Sequence, residues 1–566
     1  MSQAINIYQV FTRLFLNDNS TNKPFGTIEE NGCSKFEHFT PKALQALKDF
    51  GVSHIWFTGA IRHATCTDYS KYNIPNNNPL IVKGRAGSPY AITDYYDVDP
   101  DLATEPKNRM EEFEGLVDRC HAEGLNVIID FVPNHVAREY DSLMQPSNID
   151  ALGENDEPNH AFLPSNNFYY IPNQPFKVPK GIGFPYTTGA NEYIESPAKA
   201  TGNDAFTAQP SITDWYETIK LNYGVDYLNN HQEHFSPIPD TWGKMLHIMQ
   251  FWAQKGVDGL RCDMAEMVPI EFWQWAIPKV KETNKQLLFI AEVYKPSEYK
   301  RFLDAGFDYL YDKVGLYDIS RALIEGHGSA RQITSLWQQY EGYSHQMLRF
   351  LENHDEQRIA SSHFAGDPWK AMPAMVLAAT LNCGPLMLYF GQEIGEKAQN
   401  SEGFSQNEGR TTIFDYWCLT EYQKWVNGGK FNTEQLSSNQ RKLRNFYKDL
   451  NRLRIKSKAI SEGEFYDLMW KNPSLNLDKI YAYLRYYKQE VILVVLNFDN
   501  ENDHTIKLRI PSDAVNMAGL SKTNKWNASQ LIFGNQMTEF YPNDAQNEGI
   551  SVYIPKNKGL VFKIEK

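Results

Sequence analysis

A (β/α)8 (TIM) barrel of the α/β class, with an inserted subdomain after its third strand and a C-terminal antiparallel β-sandwich, is the fold this sequence predicts. Three observations carry the prediction. Short β-branched and aromatic runs alternate with helix-length amphipathic segments, the pattern of parallel strands joined by crossover helices. One connection, after Phe131, runs for roughly a hundred residues rich in Pro, Asn, Gly and Tyr, far longer than a crossover loop needs. Beyond about Glu462 the helical periodicity gives way to short alternating runs broken by Asn, Asp, Pro and Gly.

The barrel strands are expected at Asn6 to Phe11, Val52 to Phe57, Asn126 to Phe131, Val257 to Cys262 and Leu287 to Val293, then weakly near Phe307 to Leu310, and at Met347 to Leu351 and Pro385 to Phe390. Between them lie helices with legible starts. Thr40 caps a helix whose first residue is Pro41 and which stops at Gly51. Others are expected from Met110 to Glu123, Thr241 to Lys255, Ile270 to Thr283, Pro368 to Leu381 and Asn439 to Leu453. The barrel domain therefore spans 1–135 and 241–462, and the insert spans 136–240. The sandwich spans 463–566, its strands read from KIYAYLRYY, EVILVVLNF, HTIKLRI, GISVYI and GLVFKIEK.

At 566 residues the chain exceeds the roughly 250 to 300 that one core supports, in keeping with several domains. Acidic residues (69) outnumber Lys and Arg (56), which opposes non-specific loading onto phosphate backbones or anionic lipid. Neutral partners are expected, and neither nucleic acid nor membrane. The six cysteines lie far apart without CxxC or zinc-type spacing and read as free thiols. No secretion signal is legible in MSQAINIYQVFTRLF, so cytoplasm is the default expectation, with export open if a signal has been removed. The most apolar window, Ala371 to Gly391, is broken by Pro373, Asn382, Gly384 and Pro385 and reads as a buried helix and strand rather than a bilayer span.

Active sites of such barrels gather at the C-terminal ends of the strands. Three carboxylates fall there: Asp263 in GLRCDMAEM, Glu292 in LLFIAEVY and Asp355 in ENHDEQR. Paired carboxyl groups are the usual means of cutting a glycosidic bond, one protonating the leaving oxygen and one attacking or activating water. Arg261 and Asp263, two apart on a strand, face the same side, so the cation can orient the carboxylate and keep it ionised; a structural ion pair is the plain alternative. Glu292 follows an apolar run, surroundings that suit a proton donor. Asp130 and His135 lie in NVIIDFVPNH, where a strand delivers a carboxylate and turns through Pro133; turn chemistry would explain that segment equally well. His354 beside Asp355 offers a pair for two adjacent sugar hydroxyls, or a loop cap.

Together these motifs resemble the α-amylase family, glycoside hydrolase family 13, over almost the whole chain. DFVPNH, GLRCD, IAEV and ENHDEQR stand in order, with GVSHIWFTG, SPYAITDYYDVDP and GPLMLYFGQEIG as supporting segments. The resemblance implies that Asp263 is the nucleophile, Glu292 the acid and then the base, and Asp355 the group that binds the reacting sugar's hydroxyls. It implies that Arg261 orients the nucleophile, Asp130 buttresses Arg261, His135 and His354 hydrogen-bond the sugar, and Tyr90 forms the platform beneath it. The implied activity is retaining cleavage of α-1,4 bonds in starch-like glucans and malto-oligosaccharides; exo-acting, cyclodextrin- or pullulan-cleaving and transferring members would carry the same set. The family pattern also implies a calcium ion, with Asn134 matching the first ligand and Asn222 in IKLNYG nominated as a second, though a loop-holding role is the plainer reading of Asn222. Glu266 and Met267 stand where many α-amylases have Lys-His, a departure on the acceptor side. Outside the class, a barrel that only binds carbohydrate would retain the fold, and a metal-dependent barrel hydrolase would need a cluster of His ligands that the sequence lacks.

Overall fold

The computed structural model describes residues 4–399, 407–476, 478–533 and 537–565. Eight parallel strands form one sheet: β1 (Asn6–Phe11), β2 (His54–Thr58), β3 (Asn126–Phe131), β4 (Gly259–Cys262), β5 (Leu288–Ala291), β6 (Tyr309–Tyr311), β7 (Met347–Leu348) and β8 (Leu386–Tyr389). They pair in sequence order, and β1 also pairs with β8. A single bridge between Arg349 and Leu386 links β7 to β8 and nearly closes the barrel. The seventh strand is thus shorter than the run Met347 to Leu351 predicts, because from Arg349 onward the chain has only that one bridge before it turns into the ENHDEQR loop.

Strand alternation explains what fills the barrel. Ile7, Trp56, Ile128, Ile290, Leu348 and Met387 form a buried inner cluster, distinct from the larger one between strands and helices. At Gly259 a Cβ would stand 3.0 Å from Ile128 Cγ1, so the fourth strand leaves that layer to its neighbours. Two residues further along the first four strands the inward positions turn polar: Gln9, Thr58, Asp130 and Arg261, all buried. The barrel therefore has an apolar plug below and a charged floor above.

Residues 136–240 are mostly irregular, with short antiparallel pairs such as His135–Ala137 with Thr218–Lys220 and Tyr170–Ile171 with Ala198–Lys199. The C-terminal part is antiparallel: β9 (Glu464–Asp467), β10 (Ile480–Tyr487), β11 (Glu490–Asn497), β12 (His504–Leu508), β13 (Trp526–Gln530), β14 (Met537–Phe540), β15 (Ile550–Ile554) and β16 (Lys558–Glu565). Six of these make one sheet, ordered β9-β10-β11-β16-β13-β14, and β12 pairs with β15. The helix Met372–Thr380 is buried on every side because it lies between the barrel and this sheet, where Gly559 leaves room for Val376. That position accounts for the most apolar window of the chain. No helix among the described residues is long and apolar enough to cross a membrane. All six cysteines are free thiols.

Candidate active site

Register brings the charged floor together. On paired strands Asp130 stands opposite Arg261, and Cys262 stands opposite Ala291. One step further, Asp263 N–H donates to the Phe131 carbonyl (2.9 Å) and Glu292 N–H to the Cys262 carbonyl (3.1 Å), so both carboxylates rise from adjacent strand ends. Asp355 comes from the loop after β7. With Tyr90 and His135 these three line one cleft of about 700 Å3.

Arg261 is wholly buried and sits at the centre of the floor. Its Nη1 donates to Asp263 Oδ1 (2.7 Å) and Asp130 Oδ1 (3.3 Å), and its Nε to the Tyr311 hydroxyl (3.1 Å). Its Nη2 lies 2.8 Å from Glu292 Oε1, an electrostatic contact without hydrogen-bond alignment. Three aromatic rings, Trp56, Tyr90 and Tyr311, stand 5.3 to 5.5 Å from its guanidinium carbon. Asp130 also accepts from Trp56 Nε1 at 3.1 Å, which fixes the buttress.

Glu292 is not set among apolar groups, as the preceding run LLFIA suggests. The Phe289 and Ala291 side chains belong to the strand–helix core, while the carboxylate reaches the polar mouth. There Met264 N–H donates to Oε2 (2.8 Å) and the Tyr294 hydroxyl to Oε1 (2.6 Å). Glu266, at the position of departure from the family pattern, accepts from the Tyr294 and Lys295 N–H groups (3.0 and 3.2 Å) and so fastens the loop that carries Tyr294.

Burial disfavours the charged form of both site histidines. Burial holds the His354 imidazole well below its usual value, and the Arg261 charge adds to this. Gln9 Nε2 lies 2.8 Å from its Nδ1, the Tyr90 hydroxyl bonds its Nε2, and Asp355 Oδ2 is 3.1 Å from Nε2. Burial, then Lys220, lowers His135 to about 3, and the Trp215 ring centre stands 5.3 Å from its own.

Four carboxylates against one guanidinium leave the floor rich in negative charge. Burial raises Asp263 well above the ordinary carboxylate range, with Arg261 pulling against it and Glu292 adding to the rise. Burial also lifts Asp130 to about 6, against the pull of Arg261. Recess within the cleft, then the Glu292 charge, lifts Asp355 to about 7. Such groups titrate as a set. A positive charge developing above them would relieve their mutual repulsion, which is the complementarity a cationic transition state needs.

The two asparagines nominated for calcium do not converge on a cation pocket. Asn134 Oδ1 accepts from Lys220 Nζ (2.8 Å), and its Nδ2 donates to the Gly202 carbonyl (2.7 Å). Asn222 holds its own loop, its Nδ2 donating to Leu163 O and its Oδ1 accepting from Gly224 N–H, each at 2.8 Å. The residues present do not fit the ion. Sequence reasoning also passed over Gln9, Trp56, Tyr311 and Tyr294, although each faces inward or follows a site residue at the two-residue spacing of a strand. His63, just after the second strand, is buried against Asp99 at 2.8 Å, and Trp242 and Trp417 are core residues.

Comparison with known proteins places the fold in a family. The family described as alpha amylase, catalytic domain, matches residues 9–463, and its C-terminal all-beta domain matches residues 470–565. The chain is 24% identical to alpha-amylase 3 of Dictyoglomus thermophilum over 79% of its own length and 81% of that protein. It is also 24% identical to a cyclomaltodextrinase of a Bacillus species, over 88% of its length and 73% of the relative's. Among solved structures, the α-amylase of Geobacillus thermoleovorans in complex with acarbose superposes with a TM-score of 0.61 at 19% identity, covering 99% and 98% of the two chains. With the catalytic domain matched over residues 9–463 and the C-terminal domain over residues 470–565, the chain belongs to the α-amylase family of glycoside hydrolases.

Proposed function

We propose that this protein hydrolyses α-1,4-glucosidic bonds of starch-like glucans and malto-oligosaccharides by double displacement with retention. The observation that carries the reading is the sharing of Arg261 by Asp263 and Glu292, with Asp355 facing the same cleft. That arrangement supports the close carboxylate pair, roughly 5 to 5.5 Å apart, that retaining enzymes use. Arg261 occupies Asp263 Oδ1, and no described residue hydrogen-bonds Oδ2, which therefore faces the sugar as the attacking atom. Glu292 gives its proton to the glycosidic oxygen as Asp263 Oδ2 bonds to the anomeric carbon and the leaving chain departs. Glu292, now a carboxylate, takes a proton from water, which attacks the same carbon and frees Asp263. Two inversions restore the α configuration.

Tyr294 holds the Glu292 carboxyl by its hydroxyl at 2.6 Å from within the cleft. Tyr294→Phe is expected to lower kcat by ~10-fold, about 1.4 kcal/mol, with a smaller change in KM, because it loosens the acid without removing it. Steady-state kinetics on maltoheptaose check this.

A second reading, preference for cyclic or short α-glucans, is favoured by the aromatic side of the cleft. Phe25, Phe184 and Phe414 line it, with the Phe25 and Phe184 ring centres 5.8 Å apart. Product analysis on maltoheptaose, pullulan and a cyclodextrin, with NMR of the first-formed anomer, tests both. Release of β-anomers, or no release of reducing sugar from any of the three, would defeat the proposal; turnover of cyclodextrin well above maltoheptaose would favour the second reading.

A further inference from the structure

Where the barrel meets the insert, the family resemblance calls for a divalent ion and the chain supplies a side chain. Lys220 ends the short strand Thr218–Lys220, which pairs with His135–Ala137 so that Lys220 stands opposite His135. Its side chain is 1% exposed. The ammonium lies 2.8 Å from Asn134 Oδ1 and 2.6 Å from Asp204 Oδ1, and 5.0 Å from the centre of the Tyr227 ring. A lysine is buried in this way only when oxygens and an opposite charge meet it, since an unpaired buried charge costs several kcal/mol.

We propose that the Lys220 ammonium is the structural cation of the barrel–insert junction, standing in for a divalent ion and making that junction independent of calcium. Three arguments support the assignment. Calcium needs roughly six to eight oxygen ligands, whereas Asn134 and Asp204 offer one each to Nζ, and the Gly202 carbonyl is already taken by Asn134 Nδ2. The charge balances, one ammonium against one carboxylate, where a divalent ion would leave an excess. Among the described residues, no group of three or more His, Cys, Asp or Glu side chains is placed to hold a metal.

The position has a consequence for the cleft. Lys220 joins the end of β3, through Asn134, to the loop that carries Gly202 and Asp204, and its own N–H donates to the Ala200 carbonyl at 3.0 Å. That loop packs directly on His135: a Cβ at Gly202 would come within 2.9 Å of His135 Cβ. The ammonium therefore holds the wall behind a residue that faces substrate, and it is a positioning residue rather than a catalytic one.

The experiment has two arms. In the first, wild-type enzyme is purified in the presence of calcium, desalted and assayed for bound metal, and its Tm is followed with chelator and with added calcium. Calcium well below one per chain and a Tm indifferent to both additions are expected; bound calcium whose removal lowers the Tm overturns the proposal. In the second, Lys220→Met is expected to lower Tm by several degrees and to raise KM several-fold while kcat changes less, with Lys220→Arg recovering part of the Tm. Unchanged Tm and KM in Lys220→Met would also overturn it. Only the KM and kcat readouts rest on the proposed glucan-hydrolase function, so a failure of that function leaves the metal and Tm readouts standing.

Discussion

Asp263→Ala is expected to lower kcat on maltoheptaose by ~10⁴-fold or more, over 5 kcal/mol of transition-state stabilisation, while the barrel stays folded. The fold should survive because Arg261 keeps two carboxylates, Asp130 at 3.3 Å and Glu292 at 2.8 Å, and is not left as an unpaired buried charge. The loss should be large because no other carboxylate can take over. Asp130 lies a strand-step deeper and is bound by Trp56, and Asp355 projects from the loop after β7, beside His354. Glu292→Ala should cost ~10²–10⁴-fold, the usual scale of general acid–base catalysis.

Azide distinguishes the two roles by stereochemistry. With an activated α-glycosyl fluoride, Asp263→Ala opens the face the nucleophile held, and azide entering there gives a β-glycosyl azide. Glu292→Ala still forms the covalent ester, and azide attacking it from the other face gives an α-glycosyl azide. The same anomer from both variants would remove the assignment of Asp263 as nucleophile and Glu292 as acid and base. Wild-type circular dichroism and Tm in both variants check that folding is not the cause of the loss.

The floor of the site was legible because it obeys strand alternation. Asp130, Arg261, Asp263 and Glu292 lie on or just past apolar runs, and an inward position two residues beyond an inward apolar residue must also face inward. Gln9 and Thr58 follow Ile7 and Trp56 by the same rule and were equally readable. What alternation cannot give is the identity of partners across the chain. The contact of Lys220 with Asn134 joins residues 86 apart through an insert with almost no regular structure, so no periodicity announces it. The environment of Glu292 was misread for a related reason. An apolar run describes what packs behind a strand, whereas the residue that leaves the strand end meets whatever the neighbouring loops bring, here Arg261, Tyr294 and the Met264 N–H. In the C-terminal domain the five strongest alternating runs were visible, but β13 and β14, with the sequences WNASQ and MTEF, carry too few β-branched residues to stand out; β13 is held by pairing to β16, and β14 by pairing to β13.

Asp355→Asn is expected to abolish most activity and, at the same time, to stabilise the protein in a pH-dependent way. The carboxyl is raised from its ordinary 3.8 to about 7, by its recess in the cleft and by Glu292. Between those two values the unfolded chain has lost the proton and the folded chain still holds it, so the folded state binds more protons and stability falls as pH rises. Below about 4 both states are protonated and the side chain costs nothing; above about 7 the cost is complete. Asparagine carries no charge and escapes the cost. The Tm of Asp355→Asn relative to wild type should therefore be near zero at pH 4, grow through the interval and reach its maximum near pH 8, as measured by scanning calorimetry with no substrate present. Asp130 is raised to about 6 chiefly by burial, which both proteins share, so most of its contribution drops out of the difference. A Tm difference that stays constant from acid to alkaline pH would mean that Asp355 is not held in this repulsive recess. On the activity side, the variant keeps a hydrogen-bonding side chain beside His354 but no longer a carboxylate facing the sugar as positive charge develops on it. We expect ~10³-fold or greater loss of kcat, about 4 kcal/mol, with KM for maltoheptaose changed far less, because the interaction strengthens only as the sugar becomes cationic. A site that gains stability when it loses its third carboxylate has kept an unfavourable charge for the one moment at which the sugar above it becomes positive.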